Sequence, residues 1–300
     1  MKKLLITLAF LVSNLLIVFA GTTPSPASPD TLKIMSFNIR FDNPKDTCDQ
    51  SWNSRRAPIR RMFEEIQPDV IGMQEPRIGM LDSTYALLPA FEHFKIEADE
   101  NISDPQTGNI VIFYRKARFE PLDSGYFWLS ETPEEASVPW NSTDTHYRTA
   151  LWMKLRDRDS GKEFYFCTTH FPYKKAPVDT EVRARCASLI VDRMKSLAGD
   201  DAVVFVTGDM NASYSATDPR RGSITPFFEN MHSAREEAVF TNARSSFNGF
   251  GRVSPEIRGK NLDHIFYLGA RALLFETVDY PGYGVRWISD HYPILCYFEL

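Results

Sequence analysis

A chain of 300 residues that is 43% apolar and 13% aromatic has enough material for one large domain with a substantial core. Acidic residues outnumber basic ones by 39 to 34, a net charge of −5, which argues against a large non-specific nucleic-acid binder, since that would carry a basic field. The four cysteines have no zinc spacing.

Lys2 and Lys3 precede an apolar run over 4–20, broken by Ser13 and Asn14, and Val18-Phe19-Ala20 looks like a small-residue cleavage site. This predicts a signal peptide over 1–20; the alternative is an uncleaved anchor, which the run is barely long enough to form. No cysteine follows the cleavage point to signal a lipoprotein. Residues 21–30, with three prolines and no apolar periodicity, read as a flexible leader. Cleavage removes Lys2 and Lys3 and no acid, taking the charge to −7. The expected location is periplasmic, cell-surface or extracellular, where Cys48, Cys167, Cys186 and Cys296 are free to form disulfides. Cys167 and Cys296 lie in strand-like runs and Cys186 on an apolar helix side, so isolated buried thiols are the preferred reading.

The first strand-like run covers 32–39, with Asn38 at its end. After the polar loop Asp42-Asn43-Pro44-Lys45-Asp46 and Trp52, the spacing of Ile59, Met62, Phe63 and Ile66 predicts an amphipathic helix over 54–66 lying on a sheet. Pro68 ends it, and Val70-Ile71-Gly72-Met73-Gln74-Glu75 reads as a buried strand closing on a carboxylate. Strand, helix and strand predict a parallel pair that brings Asn38 and Glu75 to comparable ends. Ile78, Leu81, Tyr85 and Leu88 suggest a second helix, and 93–97, 110–114 and, briefly, 127–129 read as strands. Residues 131–144 form a surface excursion. The strand patterns 149–155 and 163–169 flank Arg156-Asp157-Arg158-Asp159-Ser160-Gly161, which predicts an antiparallel hairpin with His170 directly behind it. A helix over 180–197 carries Val182, Cys186, Leu189, Ile190 and Leu197 on its apolar face. Val203-Val204-Phe205-Val206-Thr207 is then a buried strand, and Gly208 lets the chain turn to deliver Asp209 and Asn211 at its carboxyl end, where open α/β folds put chemistry. A short helix near 225–231, strands over 262–268 and 273–278, and a closing strand over 292–300 behind Ser289-Asp290-His291 complete the chain. No linker or repeat interrupts it, so 31–300 reads as one domain.

Asn38, Glu75, His170, Asp209, Asn211, Asp263, Asp290 and His291 all stand at or near strand ends. Histidines with carboxylates and carboxamides, without a thiolate cluster, suit a hard oxygen-binding ion better than zinc. Two or three carboxylates could hold Mg2+ or Mn2+, leaving the histidines for phosphate oxygens and protons. Each residue also has a plainer reading: Asn38 as a turn cap, Glu75 as a helix N-terminal acid, His170 as a loop histidine, Asp263 as half of a surface pair, and the others as turn formers. Their joint recurrence favours a site.

In order, Met35-Ser36-Phe37-Asn38-Ile39-Arg40, Gln74-Glu75, Ile112-Phe113-Tyr114, Thr169-His170, Gly208-Asp209-Met210-Asn211, Leu262-Asp263-His264-Ile265 and Ser289-Asp290-His291 resemble the motifs of the endonuclease/exonuclease/phosphatase superfamily, related to DNase I. Secreted bacterial members are similar in the Asp42-Asn43-Pro44 loop and in Phe127-Trp128-Leu129-Ser130-Glu131-Thr132-Pro133. The resemblance covers nearly all of the chain after the leader. It implies a four-layer α/β/β/α sandwich, two mixed β-sheets face to face with the site at one edge. It further implies Glu75 as principal metal ligand, supported by Asn38 and Asp290, and Asp209 as the residue that positions or deprotonates the attacking water. Asn211 would donate to a phosphate oxygen. His291 would be general acid/base, its tautomer fixed by Asp263, and His170 would face the phosphate from the other side. The implied activity is that of an exported Mg2+- or Mn2+-dependent phosphoesterase acting on a diester or monoester.

Arg148, ahead of Trp152, resembles a family arginine that points toward the site, and Asn248 lies in a Ser246-Phe247-Asn248-Gly249-Phe250 loop like one beside the family pocket; both are candidate substrate contacts. Trp52, Trp128, Trp140 and Trp287 are either a stacking platform or ordinary packing. The chain departs from the pattern at Thr168, where many secreted members have Asn, at Phe171-Pro172-Tyr173, and at Thr107-Gly108-Asn109, where an acid often precedes the Ile-Phe-Tyr strand. A carboxylate partner for His170 would then come from Asp104 or Glu100, or be absent. A small phosphate ester, a phospholipid headgroup and a nucleic acid are the substrate classes. Acidic charge without a lysine tract speaks against long duplex DNA, and the lack of an exposed amphipathic hydrophobic helix against a lipid surface. The mature form is expected to be a monomer without a membrane span. The competing class is a binding protein of the same fold that has lost turnover and holds a phosphorylated or glycan ligand.

Overall fold

The computed structural model describes residues 31–96, 109–242, 244–254, 256, 260–279 and 283–300. The signal peptide and leader expected over 1–30, and Glu100 and Asp104, lie outside the described residues. The elements in chain order are β1 (Thr31–Asn38), α1 (Trp52–Ile66), β2 (Val70–Gln74), α2 (Leu81–Tyr85), β3 (Phe91–Phe94), β4 (Ile110–Arg115), β5 (Phe119–Trp128), β6 (Thr149–Asp157), β7 (Glu163–His170), α3 (Pro177–Ala198), β8 (Val203–Asp209), α4 (Thr225–Asn230), β9 (His232–Ser233), α5 (Ala234–Glu237), β10 (Phe240–Thr241), β11 (Asp263–Leu268), β12 (Arg271–Thr277) and β13 (Ile294–Glu299).

Two mixed sheets form, one in the order β10-β12-β13-β1-β2-β4-β3 and the other β5-β6-β7-β8-β11-β9. The parallel pair of β1 and β2 sets Asn38 opposite Gln74, and a second parallel pair, β7 and β8, sets His170 opposite Asp209. The latter needs a crossover between its strands, which α3 supplies. β6 and β7 form the antiparallel hairpin that the turn chemistry predicts.

Alternation within the strands sorts the apolar residues into three cores. Leu32, Ile34, Phe166, Phe205 and Ile265 fill the space between the sheets. Met35, Phe37 and Ile71 face the other way, onto Ile59, Met62 and Phe63 of α1. Cys167, Val204, Val206 and Phe266 pack on Val182, Cys186 and Ile190 of α3 and on Phe227 of α4. Helix, sheet, sheet and helix are thus the layers of the α/β/β/α sandwich that the motifs implied.

Three expectations about elements are corrected. The brief strand at 127–129 is the end of the ten-residue β5, whose bulge between Pro121 and Asp123 and exposed polar edge hide the strand pattern. The second helix is a 3-10 turn over Ile78–Met80 followed by the short α2. The strand sought at 93–97 is β3, which lies two residues earlier. All four cysteines are free, Cys48 exposed and the others buried. Among the described residues no helix is long and apolar enough to cross a membrane.

Candidate active site

The inward faces of four strands change from apolar to polar toward one end of the sandwich. Every second residue reads Ile34, Ser36, Asn38 on β1, Phe166, Thr168, His170 on β7, and Phe205, Thr207, Asp209 on β8, while β11 runs oppositely through Ile265 to Asp263. A period of two therefore delivers four polar side chains to one place from strands distant in sequence. The chain then turns sharply where the strands stop. Arg40, Glu75 and Asn211 take left-handed backbone conformations with φ of 60°, 69° and 50°; such angles are costly for non-glycine residues and gather at functional sites. Gly208 is required by close approach, since a Cβ there would lie 2.4 Å from the Thr169 carbonyl oxygen.

Asn38 joins the two halves of the site. Its Nδ2 donates to Glu75 Oε1 at 3.1 Å and to Asp209 Oδ2 at 3.0 Å, and its Oδ1 accepts from the Arg40 amide at 3.0 Å. The same Asp209 Oδ2 stands 3.4 Å from His170 Nε2 and 3.6 Å from His291 Nε2. Asp209 Oδ1 accepts from the Asn211 amide at 2.9 Å, and Asn211 Nδ2 donates to the Phe171 carbonyl at 3.1 Å. Asp263 Oδ2 lies 2.8 Å from His291 Nδ1, which fixes the ring with Nε2 toward Asp209. Asp290 Oδ2 is 3.4 Å from Arg40 Nη1, while Ser289 Oγ donates to the Asn38 carbonyl at 2.7 Å and ties the Asp290–His291 turn to the end of β1. All eight strand-end residues singled out by sequence are close to this cleft.

The two substrate candidates sit differently. Arg148 is buried beside His170, with Nη2 on Asp144 Oδ2 at 2.8 Å and with Nε and Nη1 unpartnered among the described residues. Asn248 is fully buried, its Nδ2 donating to the Ser289 carbonyl and its Oδ1 accepting from the Phe250 amide, so its carboxamide ties its own turn to the segment that carries Asp290. Among the described residues His170 Nδ1 has no hydrogen-bond partner.

Electrostatics drive the two histidines apart. Burial and then the positive charges of Arg148, His291 and Arg77 press His170 well below its usual value, so it is neutral at pH 7. Burial also opposes charge on His291, but Asp263 and Asp209 outweigh it and raise its pKa to about 10. Asp209 is pushed up to about 7 by burial and by Asp263, against the pull of His291 and its hydrogen bonds from Asn211 and Asn38. Paired titratable groups moved in opposite directions are the pattern that separates acid and base roles.

The donor set fits a divalent cation. Asp209, Asp263 and His291, all buried, place ligand atoms within 4.8 Å of one another. Across Asn38, Glu75 and Asp290 offer carboxylate oxygens, the type of ligand that hard cations take. Burial, and after it Glu75, raises the Asp290 carboxyl above its usual value, a cost that a cation bound between them would relieve.

Two sets of supporting residues escape a reading based on strand ends. Gln74 Nε2 donates to Ser36 Oγ, the Gly72 carbonyl and Thr168 Oγ1, and Thr207 Oγ1 donates to Thr168 Oγ1 at 3.1 Å. This buried polar belt spans both sheets one inward position below the site. Arg55, on the same face of α1 as Ile59, donates to the carbonyls of Ile39, Arg40, Gln50 and Ile288, and Arg183 on α3 does the same for Pro172 and Lys174. The available signals were strand parity for the belt and, for the arginines, a charge set into an apolar helical stripe.

Residues 35–291 match the Endonuclease/Exonuclease/phosphatase family. The chain is 28% identical to the crystal structure of the endonuclease/exonuclease/phosphatase from Bacteroides vulgatus, covering 90% of this chain and 99% of that one with a TM-score of 0.75. It is 25% identical to the Bacteroides thetaiotaomicron mannosyl-6-phosphatase, covering 90% and 100% of the two chains with a TM-score of 0.76. An uncharacterized protein of Acanthamoeba polyphaga mimivirus is 24% identical over 296 residues, 83% of this chain, and the match spans only 40% of the viral protein. With the two packed sheets and the Asp209–Asp263–His291 cluster in place, the chain belongs to the endonuclease/exonuclease/phosphatase family, and its cleft is compatible with a metal-dependent phosphoesterase site.

Proposed function

We propose that the protein is a Mg2+- or Mn2+-dependent phosphoesterase that hydrolyses phosphate monoesters of small, sugar-like molecules by direct attack of water. The observation that carries the reading is the set of contacts on Asp209 Oδ2, which has Asn38, neutral His170 and cationic His291 around it within 3.6 Å. A carboxylate so fixed, with a pKa of about 7, can orient water and accept its proton near neutral pH. His291, protonated and braced by Asp263, places positive charge and an Nε2–H donor where negative charge grows on the phosphoryl oxygens. His170 and Asn211 supply neutral donors. Glu75 and Asp290, with Asn38, would hold the cation, which when bound neutralises phosphoryl charge. To serve as a ligand through its oxygen, Asn38 would have to turn its carboxamide and release the Arg40 amide.

The monoester preference rests on the similarity to the mannosyl-6-phosphatase and on Arg148, whose unpartnered N–H groups beside His170 suit the extra negative charge of a monoester. Export through residues 1–20 is part of the proposal, and cell fractionation with amino-terminal sequencing of the mature chain tests it. Turnover of p-nitrophenyl phosphate and bis(p-nitrophenyl) phosphate with Mg2+, Mn2+ or EDTA tests the chemistry. We expect metal-dependent release that favours the monoester and falls about one hundred to one thousandfold in Asp209→Ala. Diester preference would replace the substrate class, and no turnover of either compound by folded protein would overturn the reading.

A further inference from the structure

A second cavity lies at the β9 edge of the sheet, beside β11. It has a volume of about 300 Å³ and is lined by Ser213, Tyr214, Ser233, Arg235 and Asn261 among others. It is distinct from the catalytic cleft, because alternation along β11 turns Asp263 toward His291 and sends the next residue, His264, to the outer face, where it borders the cavity with its Nε2 on the Ala212 carbonyl at 2.8 Å.

Arg235 is unusual for a cation that is only 9% exposed. Nη2 reaches Thr277 Oγ1 at 3.3 Å and the guanidinium lies 4.6 Å from the centre of the Phe275 ring, yet among the described residues Nε and Nη1 have no hydrogen-bond partner. Its electrostatic neighbours Glu236 and Asp263 are not in ion-pair contact with it, although Glu236 borders the same cavity. Asn261, on the same wall, has an Oδ1 that is buried and unpartnered. Buried cations are normally paired, and a buried polar group left unsatisfied is costly. A cavity bordered by donors without an acceptor, an acceptor without a donor, and the hydroxyls of Ser213 and Ser233 has the inventory of a site for a protonated oxyanion. Tyr214, stacked on Phe228 at 3.5 Å between ring centres, adds a flat apolar wall for the body that carries it.

We propose that this cavity is a second ligand site that binds a small oxyanion of the phosphate type, free or as the head of an organic molecule. Oxygens of the anion accept from Nε and Nη1 of Arg235, and its P–OH donates to Asn261 Oδ1. The inference does not depend on the catalytic reading.

Crystals soaked near neutral pH in sodium arsenate, which keeps an OH as phosphate does, and read by anomalous diffraction locate the anion directly. Calorimetric titration with inorganic phosphate then compares the parent with Arg235→Met, Asn261→Asp and Asp209→Ala. The expected result is an arsenic peak between Arg235 and Asn261, with a phosphate-binding component that weakens about tenfold or more in Arg235→Met and Asn261→Asp and survives in Asp209→Ala. Asn261→Asp, at a half-buried position, decides alone if Arg235→Met does not fold. No arsenic peak in the cavity overturns the proposal. So does a peak with phosphate affinity unmoved in the folded variants, which would mean an adventitious ion only. Loss of turnover in every assay would sink the phosphoesterase reading and leave this result interpretable.

Discussion

Asp209 and His291 share a field, and their protonation states set the working range of the site. Asp209 must be ionised to take a proton from water, and its pKa of about 7 places that ionisation near neutrality. His291 must stay protonated to stabilise charge, and its pKa of about 10 leaves it so far into the alkaline range. The rate should therefore climb through about pH 7 and fall toward about pH 10, a bell with an alkaline optimum. A bound cation favours the ionised form of Asp209 and moves the acid limb lower. Asp263 is among the causes that raise His291, so Asp263→Asn should bring the alkaline limb down, while a merely structural role for Asp263 would leave its position unchanged. The pH dependence of kcat/KM for the two proteins checks this.

At the scale of elements, placement of the site depends on how closely the two sheets approach. Gly72 sits on the inward face of β2, where a Cβ would come within 2.3 Å of Thr207 Oγ1 and 2.4 Å of Thr168 Oγ1. Gly72→Ala has to push the sheets apart or break the belt that Gln74 organises directly before Glu75. Overpacking of this kind costs roughly 1–3 kcal/mol. Because the belt lies beneath Asn38, Glu75, His170 and Asp209, kcat should drop as well as the urea midpoint. Unchanged kcat in a destabilised variant would confine the belt to holding the fold. These features explain which parts of the molecule were legible in sequence. Asn38, His170, Asp209 and Asp263 were readable because each closes or opens an alternating strand. Ser36, Thr168 and Thr207 obey the same alternation, but a small hydroxyl residue in a strand carries no sign of the partner it meets across a sheet. Arg55 and Arg183 were hidden because helical periodicity finds apolar faces and passes over a cation whose partners are carbonyls from other segments. β5 was shortened for a different reason, since an exposed edge with a bulge erases the apolar rhythm.

For the whole molecule, the buried charges of the cleft make stability depend on pH and on metal together. His291 is raised from about 6.5 in an unfolded chain to about 10, so its stabilising contribution is full below pH 6.5 and is lost as the pH climbs toward 10. Asp209 is an acid with a raised pKa, so the folded state retains a proton that the unfolded chain releases; that cost sets in above pH 3.8 and is complete by about 7. Both effects make the metal-free protein less stable as the pH rises, and between about pH 7 and 9 His291 dominates the change. A divalent cation in the cleft replaces the missing positive charge, and its binding strengthens as the carboxylates ionise. Melting curves in EDTA should therefore shift downward from pH 7 to 9, and saturating Mg2+ or Mn2+ should restore more at pH 9 than at pH 6. At a hundredfold excess over Kd the gain is about 2.7 kcal/mol, roughly 5 °C for a chain of this size. Glu75→Gln removes a proposed ligand outside the Asp209–His291 pair, so it should abolish most of that gain while leaving the EDTA curve and its pH dependence in place. A metal-induced shift that persists in Glu75→Gln would move the cation to the Asp209, Asp263 and His291 group, and the absence of any shift in the parent would argue against a cation in the cleft at all.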